Sequence, residues 1–176
     1  IEVHQGTSTG IWFYQSGVVT SWTSLGSLPS ANTWAHIAIV RNSTVVTCYI
    51  NGVSSGTTSV GTSTQTAFNA GDIPLIGAYY ISTGNNTRFY FPGYISNFRV
   101  TKGQALYTTT FTPSTTPLTT TSQGATASNV SLLTCQSATF IDNSTNNFTI
   151  TISGSPKPTY YNPFTVTYST LQAYSS

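Results

Sequence analysis

The stretch that decides the fold is WAHIAIVR at residues 34–41, which leads into CYINGV at residues 48–53. Alternate side chains of 34–41 point to opposite faces of a strand, and both faces are largely apolar. This pattern favours a central strand that is covered on both sides. Asn51-Gly52 then predicts a tight hairpin turn, because both residues tolerate the positive φ values that a two-residue turn requires.

Short segments rich in β-branched and aromatic residues recur along the whole chain, separated by Gly, Asn, Ser and Pro. None of them repeats apolar residues at the 3.6-residue period of a helix, so almost no helix is expected. Besides 34–41 and 44–51, the predicted strands are 10–14, 17–23, 73–78, 88–92, 94–100, 131–136, 147–153 and 164–168. Many short strands joined by polar turns predict an all-β sandwich or barrel.

The composition is unusually poor in charge. Charged residues make up 5% of the 176 residues, the net charge is +2, and 58 residues are Ser or Thr. No basic run is present that would bind nucleic acid or an anionic membrane. No apolar stretch of about 20 residues is present, so membrane insertion is not expected. A surface of hydroxyls and amides suits an extracellular or virion protein, because salt screens its interactions little.

Further phrases follow in order: PLIGA at 74–78, FPGYISNFRV at 91–100, KGQALY at 102–107 and FTP at 111–113. Together with residues 34–53, they resemble the laminin-G-like, concanavalin A-like lectin domain family. The closing phrases are most similar to the form found in bacteriophage structural proteins, such as fibre or decoration proteins. The resemblance implies a jelly-roll β-sandwich with a C-terminal β segment.

The resemblance and the composition together divide the chain into three parts. Residues 1–118 are expected to form the sandwich, without the strands that usually open it. Residues 119–130 read as a Thr/Ser-rich linker. Residues 131–176 are expected to form a C-terminal β segment that completes either this sandwich or a neighbouring one.

Catalysis is not expected, because hydrolysis of sugars generally needs two carboxylates held across the bond. The chain has only three acidic residues, and no two of them lie in one strand or turn. No cofactor is expected apart from Ca²⁺, which binds hard oxygen ligands. The candidate metal ligands are Asp72, Asp142 and Asn143, which lie in expected loops. Turn formation by Asp and Asn is the competing interpretation.

A loop between two expected strands combines aromatic and polar side chains. Aromatic rings stack on sugars, and amide and guanidinium groups bind hydroxyls. The candidate glycan-binding residues are Tyr79, Tyr80, Asn85, Asn86 and Arg88. The competing interpretation is that these tyrosines contact a neighbouring subunit, where Tyr is also common.

The expected function is a non-enzymatic structural protein at the virion surface of a phage, in a fibre, tail tip or capsid decoration. Its lectin-like module would recognise a host-surface glycan or assemble the particle, with copies of itself as a homo-oligomer or with other virion proteins as partners. The alternative is an extracellular carbohydrate-binding module of a secreted bacterial enzyme or adhesin. Cys48 and Cys135 are either a disulfide pair or two reduced residues.

Overall fold

The computed structural model describes residues 2–4, 10–15, 18–62, 74–80 and 88–164. Among these residues the strands are β1 (Glu2–His4), β2 (Ile11–Tyr14), β3 (Thr23–Gly26), β4 (Ile37–Asn42), β5 (Val45–Ile50), β6 (Val53–Ser59), β7 (Ala78–Tyr80), β8 (Arg88–Tyr90), β9 (Phe98–Thr101) and β10 (Val130–Thr134). Two 3-10 turns, Ser122–Gly124 and Ala127–Asn129, precede the last strand. The predicted all-β class is confirmed.

The strands pair in four antiparallel groups: β1-β2-β3, β4-β5-β6, β7-β8 and β9-β10. Within the described residues β4 pairs with β5 alone, so it lies at an edge of its sheet, not at the predicted centre. Of its apolar side chains, Ile39 packs against the main core, whereas Ile37 is 47% exposed.

The predicted Asn51-Gly52 turn is confirmed. It joins β5 to β6 directly after the Ile50–Val53 pair. Both turn residues have positive φ, 51° at Asn51 and 84° at Gly52, as a type I′ hairpin requires. Asn51 also anchors the chain before β4, since its N–H donates to His36 O (2.8 Å) and its Oδ1 accepts from His36 N–H (2.9 Å).

The main core forms where the first two sheets meet. Its buried side chains are Ile11, Phe13, Leu25, Val46, Cys48 and Val60. The sheets come closest at β3 and β6, where a Cβ atom added to Gly56 would lie 2.5 Å from Leu25 O. Only glycine allows two backbones to approach this closely.

A second core forms within the part of the chain that follows residue 101. Leu118, Ala125, Val130 and Leu133 are buried together, with Leu106 against them. These side chains come from β10 and from the stretch that leads to it. The β9-β10 pairing therefore has its own apolar support and does not depend on backbone hydrogen bonds alone.

The stretch 119–130, predicted as a linker, is packed against earlier residues. Arg99 Nη1 donates to Thr119 O (3.2 Å) and Ser122 O (2.9 Å). Gln104 reaches the same stretch from both sides, donating to Gly124 O and accepting from Thr126 N–H, each at 2.9 Å. The stretch connects the two regions as a packed segment because its backbone polar groups find side-chain partners.

The C-terminal region agrees with the prediction only in part. The strand predicted at 131–136 is β10, and it pairs with β9 of the same chain. The strand predicted at 147–153 is wrong, because these residues form no strand and Phe148 and Ile152 are exposed. The strand predicted at 164–168 lies almost entirely outside the described residues. The division at 118 and 130 stays a prediction.

Both cysteines are free, Cys48 buried and Cys135 half-buried, so the reduced alternative holds in this structure. Burial raises the pKa of the Cys48 thiol to about 11, which keeps it protonated at neutral pH. Among the residues described, no helix has the length and apolar character that crossing a membrane requires.

Candidate functional site

The predicted glycan-binding residues lie on and around one hairpin. Tyr79 and Tyr80 belong to β7 and Arg88 belongs to β8, with Tyr80 directly opposite Arg88 in the register. The structure thus brings these three positions together at the end of a two-stranded unit. Asn85 and Asn86 lie in the connection between the strands, outside the described residues. The site stays a prediction.

Of the predicted metal ligands, Asp142 has the best-defined surroundings, and Asp72 lies outside the described residues. Asp142 is 4% exposed. Its Oδ1 accepts from Leu133 N–H (3.0 Å) and Ser144 N–H (2.9 Å). Its Oδ2 accepts from Ser144 Oγ–H and Phe148 N–H, both at 2.9 Å. Four protein donors therefore engage the carboxylate, which favours a structural role over metal binding.

The charge on Asp142 is set by two opposing effects. Burial disfavours the ionised carboxylate, but the backbone donors Phe148, Ser144 and Leu133 and the Ser144 hydroxyl together outweigh it. The pKa of Asp142 therefore lies below its ordinary value of 3.8. The carboxylate is ionised at neutral pH and holds three chain segments together.

Asn143 is exposed and engaged differently. Its N–H donates to Leu133 O (2.7 Å), and its Nδ2 donates to Gln136 Oε1 (2.9 Å). It lines a shallow cleft of about 400 Å³ with Leu118, Thr119, Thr120, Leu133, Gln136 and Ser137. In the described part of the chain, no three His, Cys, Asp or Glu side chains cluster as metal ligands would. The calcium site stays a prediction, with one carboxylate near Asn143.

An aromatic cluster lies over the second sheet. The rings of Tyr107 and Phe111 stack at 3.7 Å and 9°, and His36 meets both edge-on. Burial, and then the positive charge of Arg99, lowers the pKa of His36, so this ring is neutral at neutral pH. Its Nδ1 is buried and has no hydrogen-bond partner among the described residues. The cluster packs the residue before β4 against residues 107–111.

A second aromatic cluster faces solvent. The Trp34 ring centroid lies 5.4 Å from that of Tyr161 and 6.3 Å from that of Tyr94. The Tyr94 and Tyr161 centroids are 4.9 Å apart, with 67° between the ring planes. Tyr94 is 57% exposed and Tyr161 is 54% exposed. We call these three rings the aromatic notch.

Sequence patterns did not indicate the notch. Tyr94 fell at the start of a predicted strand, but the structure places it ahead of β9 and exposed. Trp34 fell in a strand that in fact begins at Ile37. The available signal was the pair Tyr160-Tyr161 before Asn162-Pro163, a typical turn sequence with two aromatic residues.

A laminin G-type family model, described as the concanavalin A-like lectin/glucanases superfamily, matches residues 1–109. The chain belongs to this superfamily. Its antiparallel sheets are those of a concanavalin A-like β-sandwich. Neither a comparison with curated proteins nor one with solved structures finds a significant match.

Proposed function

We propose that this protein is a non-enzymatic, lectin-like recognition module of a bacteriophage virion, in a fibre, tail tip or capsid decoration. Its ligand is a glycan of the host surface. Its other partners are copies of itself or further virion proteins. It works at the virion surface, and Ca²⁺ is its single candidate cofactor.

The observation that carries the proposal is a lectin/glucanase scaffold with only three acidic residues, no two of which lie in one strand or turn. The chain has three acidic residues, whereas glycoside hydrolysis generally uses a pair of carboxyl groups. Asp142 is buried and engaged by four donors, which removes it as acid, base or nucleophile. Only Glu2 and Asp72 would then be left to form a pair. Binding without catalysis fits these residues better.

The virion setting is supported by the similarity of residues 102–113 to phage structural modules. The low charge adds to it, since an uncharged surface holds its interactions across a wide range of salt. An extracellular carbohydrate-binding module of a bacterial enzyme or adhesin would use the same recognition chemistry. The genes next to the coding sequence separate the two: capsid and tail genes favour the virion, and a catalytic domain or secretion signal favours the alternative.

The test is binding of the purified, fluorescently labelled chain to a panel of bacterial strains, with their isolated surface polysaccharides as competitors. We expect saturable binding to at least one strain, reduced by its own polysaccharide and insensitive to salt. Absence of binding to every strain and polysaccharide would refute glycan recognition.

A separate variant tests the predicted glycan site on the β7-β8 hairpin. Replacing Tyr79 and Tyr80 by Ala should abolish cell binding if these rings contact the glycan. Unchanged cell binding with an altered oligomeric state would instead assign the hairpin to subunit contacts. Size-exclusion chromatography with light scattering supplies that second measurement.

A further inference from the structure

The aromatic notch is assembled from three distant parts of the chain. Trp34 precedes β4, Tyr94 precedes β9, and Tyr161 lies in the C-terminal segment. Tyr94 and Tyr161 present more than half of their surface to solvent, while Trp34 lies beneath them, partly buried. Tyr and Trp side chains, which combine an apolar ring with a polar group, are enriched at surfaces that bind partners.

Local hydrogen bonds shape the chain around Tyr161 and just after Trp34. On the Tyr161 side, its N–H donates to Thr159 Oγ1 (3.2 Å), and Asn162 Oδ1 accepts from Phe164 N–H (2.9 Å) across Pro163. On the Trp34 side, the paired hydrogen bonds between His36 and Asn51 fix the start of β4. Local turns therefore shape the segment that carries Tyr161 without a strand.

The chemistry of the notch points to a sugar. None of the three side chains is charged. The faces of aromatic rings are electron-rich and attract the polarised C–H groups on one face of a pyranose. The two phenol hydroxyls can donate to or accept from the ring hydroxyls of a sugar.

The size of the notch argues against a protein partner. Two half-exposed tyrosines present together roughly 150–250 Å², from the typical area of an aromatic side chain. A standard protein interface buries about 800 Å² on each partner. The exposed rings match the area of a small ligand instead.

The angle between the ring planes further limits which class of sugar ligand fits the notch. A flat polysaccharide surface needs coplanar rings, whereas the Tyr94 and Tyr161 planes differ by 67°. Their centroids are 4.9 Å apart, so the two rings border one position and not two successive ones. We propose that the aromatic notch binds a single neutral sugar residue, such as the terminal residue of a surface glycan. This subsite rests on the proposed function and names the residues that carry it.

The experiment is an NMR titration of the full ¹⁵N-labelled chain with methyl glycosides of glucose, galactose, mannose and N-acetylglucosamine. The indole N–H signal of Trp34, assigned with the Trp34→Phe variant, reports on the notch. We expect at least one glycoside to shift this signal saturably. A pull-down with crystalline cellulose, a flat polymer, should retain no protein.

Variants then locate the binding. Tyr94→Ala and Tyr161→Ala should each raise Kd roughly tenfold, as is typical when an aromatic anchor is truncated. Tyr160→Ala is the matched control, because this neighbour is 95% exposed and lies outside the notch. This control should change Kd by less than about twofold relative to wild type. Tyr94→Phe and Tyr161→Phe, which keep the rings, replace any alanine variant whose spectrum shows that it has not folded.

The possible results distinguish a failure of the notch proposal from a failure of the proposed function. Two results would overturn the proposal that the notch binds sugar. In one, a glycoside binds without shifting the Trp34 signal; in the other, binding survives both alanine changes in folded protein. So would cell binding by a chain that binds none of the four glycosides. In each of these cases the proposed recognition of a surface glycan is not refuted. If neither cells nor polysaccharides nor glycosides bind, the proposed function fails together with the notch.

Discussion

At the scale of single residues, Asp142 holds together three segments of the C-terminal region. Its carboxylate accepts from Leu133 in β10, from Ser144 and from Phe148. An amide oxygen in its place can accept from only part of this set, and the new NH₂ group would face donors. We expect Asp142→Asn to lower the free energy of unfolding by about 1–3 kcal/mol, since buried donors lose their partners.

Urea unfolding followed by tyrosine and tryptophan fluorescence measures this change. Thr145→Ala is the matched control, an exposed position inside the same loop, and should alter stability by less than about 0.5 kcal/mol. Equal stability of Asp142→Asn and wild type would show that the four hydrogen bonds contribute nothing net.

The lowered pKa of Asp142 also predicts how stability depends on pH. Because the folded pKa lies below the unfolded value, the contribution of Asp142 is complete above about pH 4 and is lost as pH falls through the folded pKa. The pKa of His36 is also lowered, so protonation of the unfolded chain reduces stability as pH falls below about 6.5. This loss of stability is the same in wild type and in Asp142→Asn. The stability difference between wild type and Asp142→Asn should therefore shrink only in strong acid. A difference that stays constant down to pH 2 would contradict this assignment.

At the scale of elements, the close contact between β3 and β6 requires a glycine at position 56. A methyl group at Gly56 would meet Leu25 O at 2.5 Å and Leu25 C at 2.7 Å, both of them backbone atoms that cannot rotate away. The two sheets would have to separate at the main core. We expect Gly56→Ala to destabilise the protein by about 1–3 kcal/mol, the usual effect of overpacking.

Thermal unfolding followed by circular dichroism tests this expectation. Ser54→Ala, on the same strand but exposed, is the control and should leave the midpoint nearly unchanged. If Gly56→Ala unfolds at the wild-type midpoint, β3 and β6 are not held as close as the structure places them.

The elements that sequence patterns predicted well are those whose signals are local. The Asn51-Gly52 turn needs only the φ preferences of two adjacent residues, and β5 needs only its apolar run. In contrast, β6 was missed because its sequence, VSSGTTS, has a single apolar residue. It forms a strand because the hairpin places it beside β5 and because Gly56 fits against β3. The strand expected at 147–153 failed for the opposite reason, since its alternating apolar residues find no sheet to pair with in the described structure.

The candidate site could not be predicted for the same reason, since its contacts join residues that are distant in the sequence. The rings of Trp34 and Tyr161 are brought together by the path of the whole C-terminal segment, which no local pattern encodes. Asp142 was recognised as a special residue, but its oxygens suggested a metal. Only the fold reveals that backbone donors from Leu133 and Phe148 converge on them.

At the scale of the whole molecule, residues after 118 pair and pack with residues before it. β10 supplies the partner of β9, and Leu133 is 2% exposed in a core shared with Leu106 and Leu118. Asn97 adds a further tie, because its N–H donates to Cys135 O (2.8 Å) and its Oδ1 accepts from Leu118 N–H (2.7 Å). The C-terminal segment therefore pairs with its own chain in this structure.

This arrangement predicts the result of removing residues 131–176. The deletion leaves the β9 edge unpaired and exposes the side chains that packed on Leu133, and an unpaired apolar edge promotes aggregation. We expect the shortened chain to be insoluble, or to assemble into large species by light scattering, under conditions in which the full chain stays in solution. Adding the segment 131–176 as a separate polypeptide should restore solubility, because the missing strand can be supplied in trans. A shortened chain that stays soluble, with the near-ultraviolet circular dichroism of a packed protein, would mean that residues 1–130 form a complete sandwich and that β10 belongs to a different unit.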